Sequence, residues 1–116
     1  MREAGPETVL TVVAPVYNEA GGIEPFVEEL QDCLQALSFP GTWEILLVDD
    51  GSTDGSDAEL DALARRHPEQ VSVLHLARNF GHPAAVTAGL DHARGDIVIL
   101  LDSDFQDDPH AFGAFL

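Results

Sequence analysis

The chain has 116 residues, 21 acidic side chains and only 5 basic ones, all arginine, for a formal charge of −16. Such a chain offers no basic face for neutralising nucleic-acid phosphates or for docking on anionic lipid. With no lysine it also lacks a phosphate-loop lysine and a Schiff-base lysine. The 45% hydrophobic content is enough for one packed core, so residues 1–116 are expected to form a single domain or part of one. The N-terminal MREAGPET holds no apolar stretch, so no signal peptide is expected, and the apolar runs are far too short to span a membrane. The lone Cys33 cannot form an internal disulfide, and a reducing, cytoplasmic compartment fits it.

In chain order, the first element is an apolar run, Val9–Val13, followed by a helical pattern. Ile23, Phe26, Val27, Leu30, Leu34 and Leu37 recur at spacings of three and four, with Glu24, Glu28, Glu29, Gln31 and Asp32 on the other face. A second run, Ile45–Val48, precedes a shorter helix through Leu60, Leu63 and Ala64 that ends near His67. A third run, Val71–Leu76, leads to a helix of small residues, Ala84, Ala85, Ala88, Leu90 and Ala93, ending at Gly95. The fourth run is Ile97–Leu101. Each run is short, nearly continuous and bounded by Pro, Gly or Asp, the pattern of a strand buried on both faces. The alternation predicts an α/β fold: an open, mainly parallel sheet with flanking helices and right-handed crossovers. Asp107-Asp108-Pro109 reads as the start of a further helix with room for only about two turns, so the chain is expected to stop inside an element.

In an open parallel sheet, ligands bind outside the carboxyl ends of the strands. Those ends read Ala14-Pro15-Val16-Tyr17-Asn18-Glu19, Asp49-Asp50-Gly51-Ser52-Thr53-Asp54, Ala77-Arg78-Asn79-Phe80-Gly81-His82 and Asp102-Ser103-Asp104-Phe105-Gln106. All are polar and three carry carboxylates, which are costly to bring together unless a cation or donor groups meet them. Asp102 and Asp104 leave a buried run one residue apart, so both can reach one hard divalent cation, Mg2+ or Mn2+, with Gln106 adding an oxygen. The bland alternative is a solvated turn. Asp49 to Gly55 has three readings: a nucleobase and ribose pocket, a calcium loop with Asp50, Ser52, Asp54, Gly55 and Asp61, or a plain link with Asp54 or Ser56 as helix cap. A preceding strand and an aspartate at the last ligand position weigh against calcium. Tyr17 could stack on a base and Glu19 accept from one, or this segment is only a turn into Gly21-Gly22. His82 stands at a helix start, and His67, His75, His92 and His110 show no zinc spacing. Neither Gly-x-Gly-x-x-Gly after a strand nor Gly-x-Ser-x-Gly is present.

The segments Val13–Glu19, Val48–Asp54 and Asp102–Pro109, in this order, resemble glycosyltransferase family 2, the inverting GT-A type. Arg78-Asn79-Phe80-Gly81-His82-Pro83-Ala84-Ala85, with Ala88-Gly89-Leu90-Asp91 beyond, is similar to the branch making polyprenyl-phosphate sugars, such as dolichol-phosphate mannose synthase and its undecaprenyl-phosphate relatives. The resemblance runs from about Thr8 to Pro109. It implies a GT-A, Rossmann-like nucleotide-binding half, truncated at the C-terminus. Pro15, Tyr17, Glu19, Asp49, Asp50 and Asp102 would line the nucleotide-sugar pocket, and Asp102, Asp104 and Gln106 would hold the metal. The donor would be a UDP- or GDP-hexose. The acceptor would be a polyprenyl phosphate, with a polysaccharide or other glycan acceptor, or a non-catalytic nucleotide-sugar-binding module, as alternatives. Ser103, Phe105 and Asp108 stand where the family more often has Ala, Leu and Pro. The catalytic base and any membrane-associated segment are expected beyond Leu116. The fragment alone is therefore expected to be inactive, and the full-length protein to work at the cytoplasmic face of the membrane.

Overall fold

The computed structural model describes residues 5–101. They form β1 (Val9–Val16), α1 (Ile23–Ala36), β2 (Thr42–Asp49), α2 (Ser56–Arg66), β3 (Val71–His75), α3 (His82–His92) and β4 (Ile97–Leu100). The four strands pair in the order β3-β2-β1-β4, and all three pairings are parallel. The predicted alternation and open parallel sheet are thus what the chain adopts.

Side chains of one strand alternate between the two faces of the sheet. On one face Leu10, Val12, Ala14 and Val16 of β1, with Ile45 and Leu47 of β2, pack against α1 and α2. Helix α1 contributes Ile23, Phe26, Val27, Leu30 and Leu34, all of them buried. Each such side chain contributes roughly 1.5–3 kcal/mol of burial free energy. On the other face Val13, Leu46 and Val48 meet Ala85 of α3. The helices α1 and α2 lie on one face and α3 on the opposite one. The chain steps outward from β1 to β2 to β3, then returns past β1 to place β4. Reversing direction while keeping one crossover hand requires the connecting helix to change faces, and α3 does so. The reversal makes the carboxyl ends of β1 and β4 the switch point of the sheet, the place where open α/β sheets bind ligands.

Two features differ from the sequence reading. Strand β1 continues through Ala14, Pro15 and Val16, where a post-strand loop was expected. Odd residues of β1 point their backbone groups toward β4, so Pro15 leaves the pairing of β1 with β2 intact through Val16. Among the described residues β3 and β4 are the outer strands, and neither is buried on both faces. Val98 and Leu100 are exposed on the α3 side, while Ile97 and Ile99 pack toward the core of α1 and α2.

The small residues of α3 let it lie close to the sheet. A Cβ on Gly89 would stand 2.5 Å from Val13 Cγ1 and 3.0 Å from Val48 Cγ2. Gly89→Leu is therefore expected to push α3 off the sheet and cost about 2–3 kcal/mol of stability. A shift of the urea midpoint measures it, and an unchanged midpoint would contradict this packing.

Candidate functional site

Three loops leave the carboxyl edge of the sheet: residues 17–22 after β1, 50–55 after β2 and 76–81 after β3. The first two are joined by a run of backbone donors meeting side-chain acceptors. Asn18 N donates to Ser52 Oγ at 3.0 Å, Glu19 N to Ser56 Oγ at 3.0 Å, Ala20 N to Asp54 Oδ2 at 3.0 Å and Gly21 N to Glu59 Oε1 at 3.1 Å. In return Thr53 N donates to Asn18 Oδ1 at 2.8 Å. Four consecutive amides of the first loop are thus satisfied by the second loop and the first turn of α2, and the three segments behave as one wall.

Asp54 also accepts from Ser56 N at 3.0 Å. The Ser56 hydroxyl, foremost, and the Ala20 and Ser56 amides hold its carboxyl below the usual aspartate range against a smaller opposing effect of desolvation. This contribution to the wall is present above the ordinary aspartate value and is lost as pH falls through the lowered one. The N-cap position of α2 is taken by Gly55 in a left-handed conformation, φ 96°, rather than by Asp54 or Ser56.

The paired aspartates diverge because they are consecutive on a strand. Asp49 faces α2: its Oδ1 accepts from Ser52 N at 2.9 Å and its Oδ2 lies 2.8 Å from His75 Nδ1. His75 is its direct partner across the β2–β3 ladder. The other ring nitrogen, Nε2, lies 2.7 Å from Asp61 Oδ1 on α2. The hydrogen bond to Asp61, then that to Asp49, raises the proton affinity of His75 above that of an ordinary histidine, against the opposing effect of burial. Asp50 faces α3 instead. It accepts from Phe80 N at 2.9 Å, Gly81 N at 3.1 Å and Asn79 Nδ2 at 3.0 Å, and so holds the loop that starts α3. Both aspartates are buried, 3% exposed.

These loops enclose a cleft of about 550 Å3 lined by Tyr17, Asp49, Ser52, Asp61, His75 and Arg78, among others. Tyr17 is exposed along its rim, and the Arg78 guanidinium lies 4.3 Å from the centroid of the Phe80 ring. A somewhat larger cleft, about 620 Å3, lies at the amino edge, lined by Thr42, Trp43, Gln70 and Arg94. There Arg94 is paired with Glu44 at 3.1 Å. The carboxyl edge is the better candidate, because the strand topology opens the sheet there and its polar side chains converge.

Of the residues singled out by sequence, Tyr17 and Asp49 line the cleft. Asp50 is turned to the opposite face of the sheet, Pro15 is buried within β1, and Glu19 is half-buried in the first loop. Asp102, Asp104 and Gln106 lie outside the described residues. The calcium reading of Asp49 to Gly55 has no geometric support: Asp50 and Asp61 face different partners, and among the described residues no group of three or more His, Cys, Asp or Glu could hold a metal. His75, Asp61 and Arg78 were not among the residues predicted for the site. The usable signal was period two along β3, which puts Val71, Val73 and His75 on the face of α2.

The family described as Glycosyl transferase family 2 matches residues 11–116. A dodecaprenyl-phosphate galacturonate synthase of Rhizobium johnstonii is 39% identical over 86% of this chain and 29% of its own. An undecaprenyl-phosphate 4-deoxy-4-formamido-L-arabinose transferase of Salmonella choleraesuis is 41% identical over 94% of this chain and 33% of its own. The chain therefore spans about a third of the length of these curated relatives. Among solved structures, a mannosyltransferase of Pyrobaculum calidifontis in complex with GDP-Man and Mn2+ superposes with a TM-score of 0.66 at 30% identity, over 88% of this chain and 30% of that one.

Proposed function

The chain belongs to glycosyltransferase family 2, and we propose that it is the donor-binding part of an inverting, metal-dependent enzyme that moves a hexose from a UDP- or GDP-sugar to a polyprenyl phosphate. Its sheet is of the GT-A type. The observation that carries the reading is the convergence of three strand-end loops on one polar cleft at the carboxyl edge of the sheet. Tyr17 offers a face for the base, and Arg78 a cation for the anionic diphosphate. Asp49 holds the turn after β2 through Ser52 N, and Asp50 holds the loop after β3 that carries Arg78. Pro15 and Glu19 support the first wall from within β1 and its following loop. The identity to polyprenyl-phosphate sugar transferases favours a lipid-borne acceptor over a polysaccharide, which puts the whole enzyme at a membrane surface. Among the described residues no helix is long and apolar enough to cross a membrane.

The Leu101 amide donates to Val13 O at 2.9 Å, so the chain still runs beside β1 one residue before Asp102. We assign Asp102, Asp104 and Gln106, which follow, to a divalent cation, since their hard oxygens suit Mg2+ or Mn2+. When bound, that cation neutralises charge on the leaving nucleoside diphosphate. The residues of the cleft hold the nucleotide, and an acceptor phosphate oxygen attacks the anomeric carbon from the opposite side.

Calorimetry with UDP and GDP, with and without Mn2+, tests the assignment. Metal-dependent binding is expected, and Asp104→Ala is expected to remove the dependence on metal. Metal-independent binding that survives this substitution unchanged would sink it.

A further inference from the structure

We propose that His75 is a pH-gated positioning residue for the cleft: charged, it ties α2 to the end of β2 and holds the Gly51–Thr53 turn in shape for an anionic nucleotide; neutral, it lets Asp61 go and loosens that wall. This deepens the nucleotide reading of the cleft and rests on it. The argument is one of donor counting. Both ring nitrogens lie on carboxylate oxygens, Nδ1 at 2.8 Å from Asp49 and Nε2 at 2.7 Å from Asp61. A neutral imidazole has one N–H, and its other nitrogen is a lone pair. Both contacts therefore exist together only in the imidazolium.

The structure also says which contact fails first. The Asp49 side chain is 4% exposed, and its second oxygen is held by Ser52 N. The Asp61 side chain is 50% exposed on α2 and can hydrate in place. Leaving a buried carboxylate without its donor costs more than freeing an exposed one. Neutral His75 therefore keeps Asp49 and releases Asp61.

The other titratable or charged groups lining this cleft are Asp57 of α2, Tyr17 after β1 and Arg78 after β3. Of the groups around the ring, Asp61 and Asp49 favour its charged form, and burial opposes it. Because the folded state raises the proton affinity of His75, the stabilisation is complete below the ordinary histidine value of about 6.5 and is lost as pH rises through the raised value. At that point Arg78 is left as the cation of the described cleft. An anionic ligand then loses both a shaped wall and a positive charge.

NMR titration of the chain carries the test, with the His75 ring carbon and the Ser52 amide as reporters, beside calorimetry with UDP and Mg2+ across the same pH range. Wild type, Asp61→Asn and His75→Gln are compared, so that the nucleotide's own ionisation cancels. The Ser52 amide is expected to follow the His75 titration, and the His75 midpoint to fall in Asp61→Asn. UDP affinity is expected to drop about fivefold as His75 loses its proton in wild type, with no such step in His75→Gln. A His75 midpoint at the ordinary value and unmoved by Asp61→Asn overturns the proposal, as does a Ser52 amide indifferent to the ring. UDP affinity with the same pH profile in wild type and His75→Gln overturns the gating. A clamp that titrates as described in a chain that binds no nucleotide at any pH supports the clamp and defeats the nucleotide reading instead.

Discussion

Gly51→Ala is expected to lose about 4 kcal/mol of folding stability, a large share of what a domain of this size has. Two separate costs meet at this position. Gly51 sits at φ 71°, where a side chain is strained. A Cβ there would also overlap the carbonyl carbon of Arg78 and the amide nitrogen of Asn79, and would stand 2.8 Å from Arg78 Cα. All of these are backbone atoms, so no side-chain rotation relieves the overlap. Gly55 separates the two costs. Its φ is 96°, but a Cβ there meets nothing within 4 Å. Gly55→Ala is therefore expected to lose only about 1 kcal/mol, the cost of left-handed backbone alone. Urea denaturation of the two variants reads the difference. Equal losses would mean that the close approach of the loops after β2 and β3 does not hold in solution. Because Arg78 lines the cleft, Gly51→Ala is also expected to abolish nucleotide binding under conditions where Gly55→Ala retains it.

The strand and helix order was legible because strands paired on both sides and covered on both faces must be apolar nearly throughout, and β1 and β2 obey that. Where it was less legible, the reason is positional. Pro15 looks like a strand breaker, yet β1 continues through it because its register with β2 carries on to Val16. The apolar residues of β4 suggested two covered faces, yet among the described residues α3 lies over β1 and β2, and Val98 and Leu100 stay exposed. The strand ends pointed to the edge of the sheet at which the candidate cleft lies. The sequence could not say which aspartate of Asp49-Asp50 faces what, since that follows from the phase of β2 against its helices. The clamp on His75 required the β2–β3 register, because a slip of one residue would have turned His75 to the other face. The hydrogen bonds joining the first two loops link residues 34 to 38 positions apart and depend on both strands at once.

Asp50→Ala is expected to destabilise the chain by about 2–3 kcal/mol and to displace the start of α3. The carboxylate is buried, and it meets three donors of the following loop: two backbone amides and the Asn79 side chain. Removing it takes the acceptor from both amides, while Asn79 Nδ2 keeps the Asp50 carbonyl oxygen at 3.1 Å. Asp50→Asn preserves the shape but replaces one acceptor oxygen with an amide that presents N–H groups to N–H groups. It is therefore expected to recover little of the loss. Asn79→Ala removes only the neutral member of the set and leaves both backbone bonds in place, so about 1 kcal/mol is expected there. This ordering distinguishes a carboxylate that holds the loop from one that faces a ligand. If Asp50 contacts the nucleotide directly and the loop holds itself, Asp50→Asn should fold as stably as the parent and lose affinity alone. If it holds the loop, stability falls first. Affinity falls with it because Arg78 and Phe80 lie in the segment that Asp50 fixes. Thermal denaturation and UDP calorimetry on the same three variants decide between the two roles.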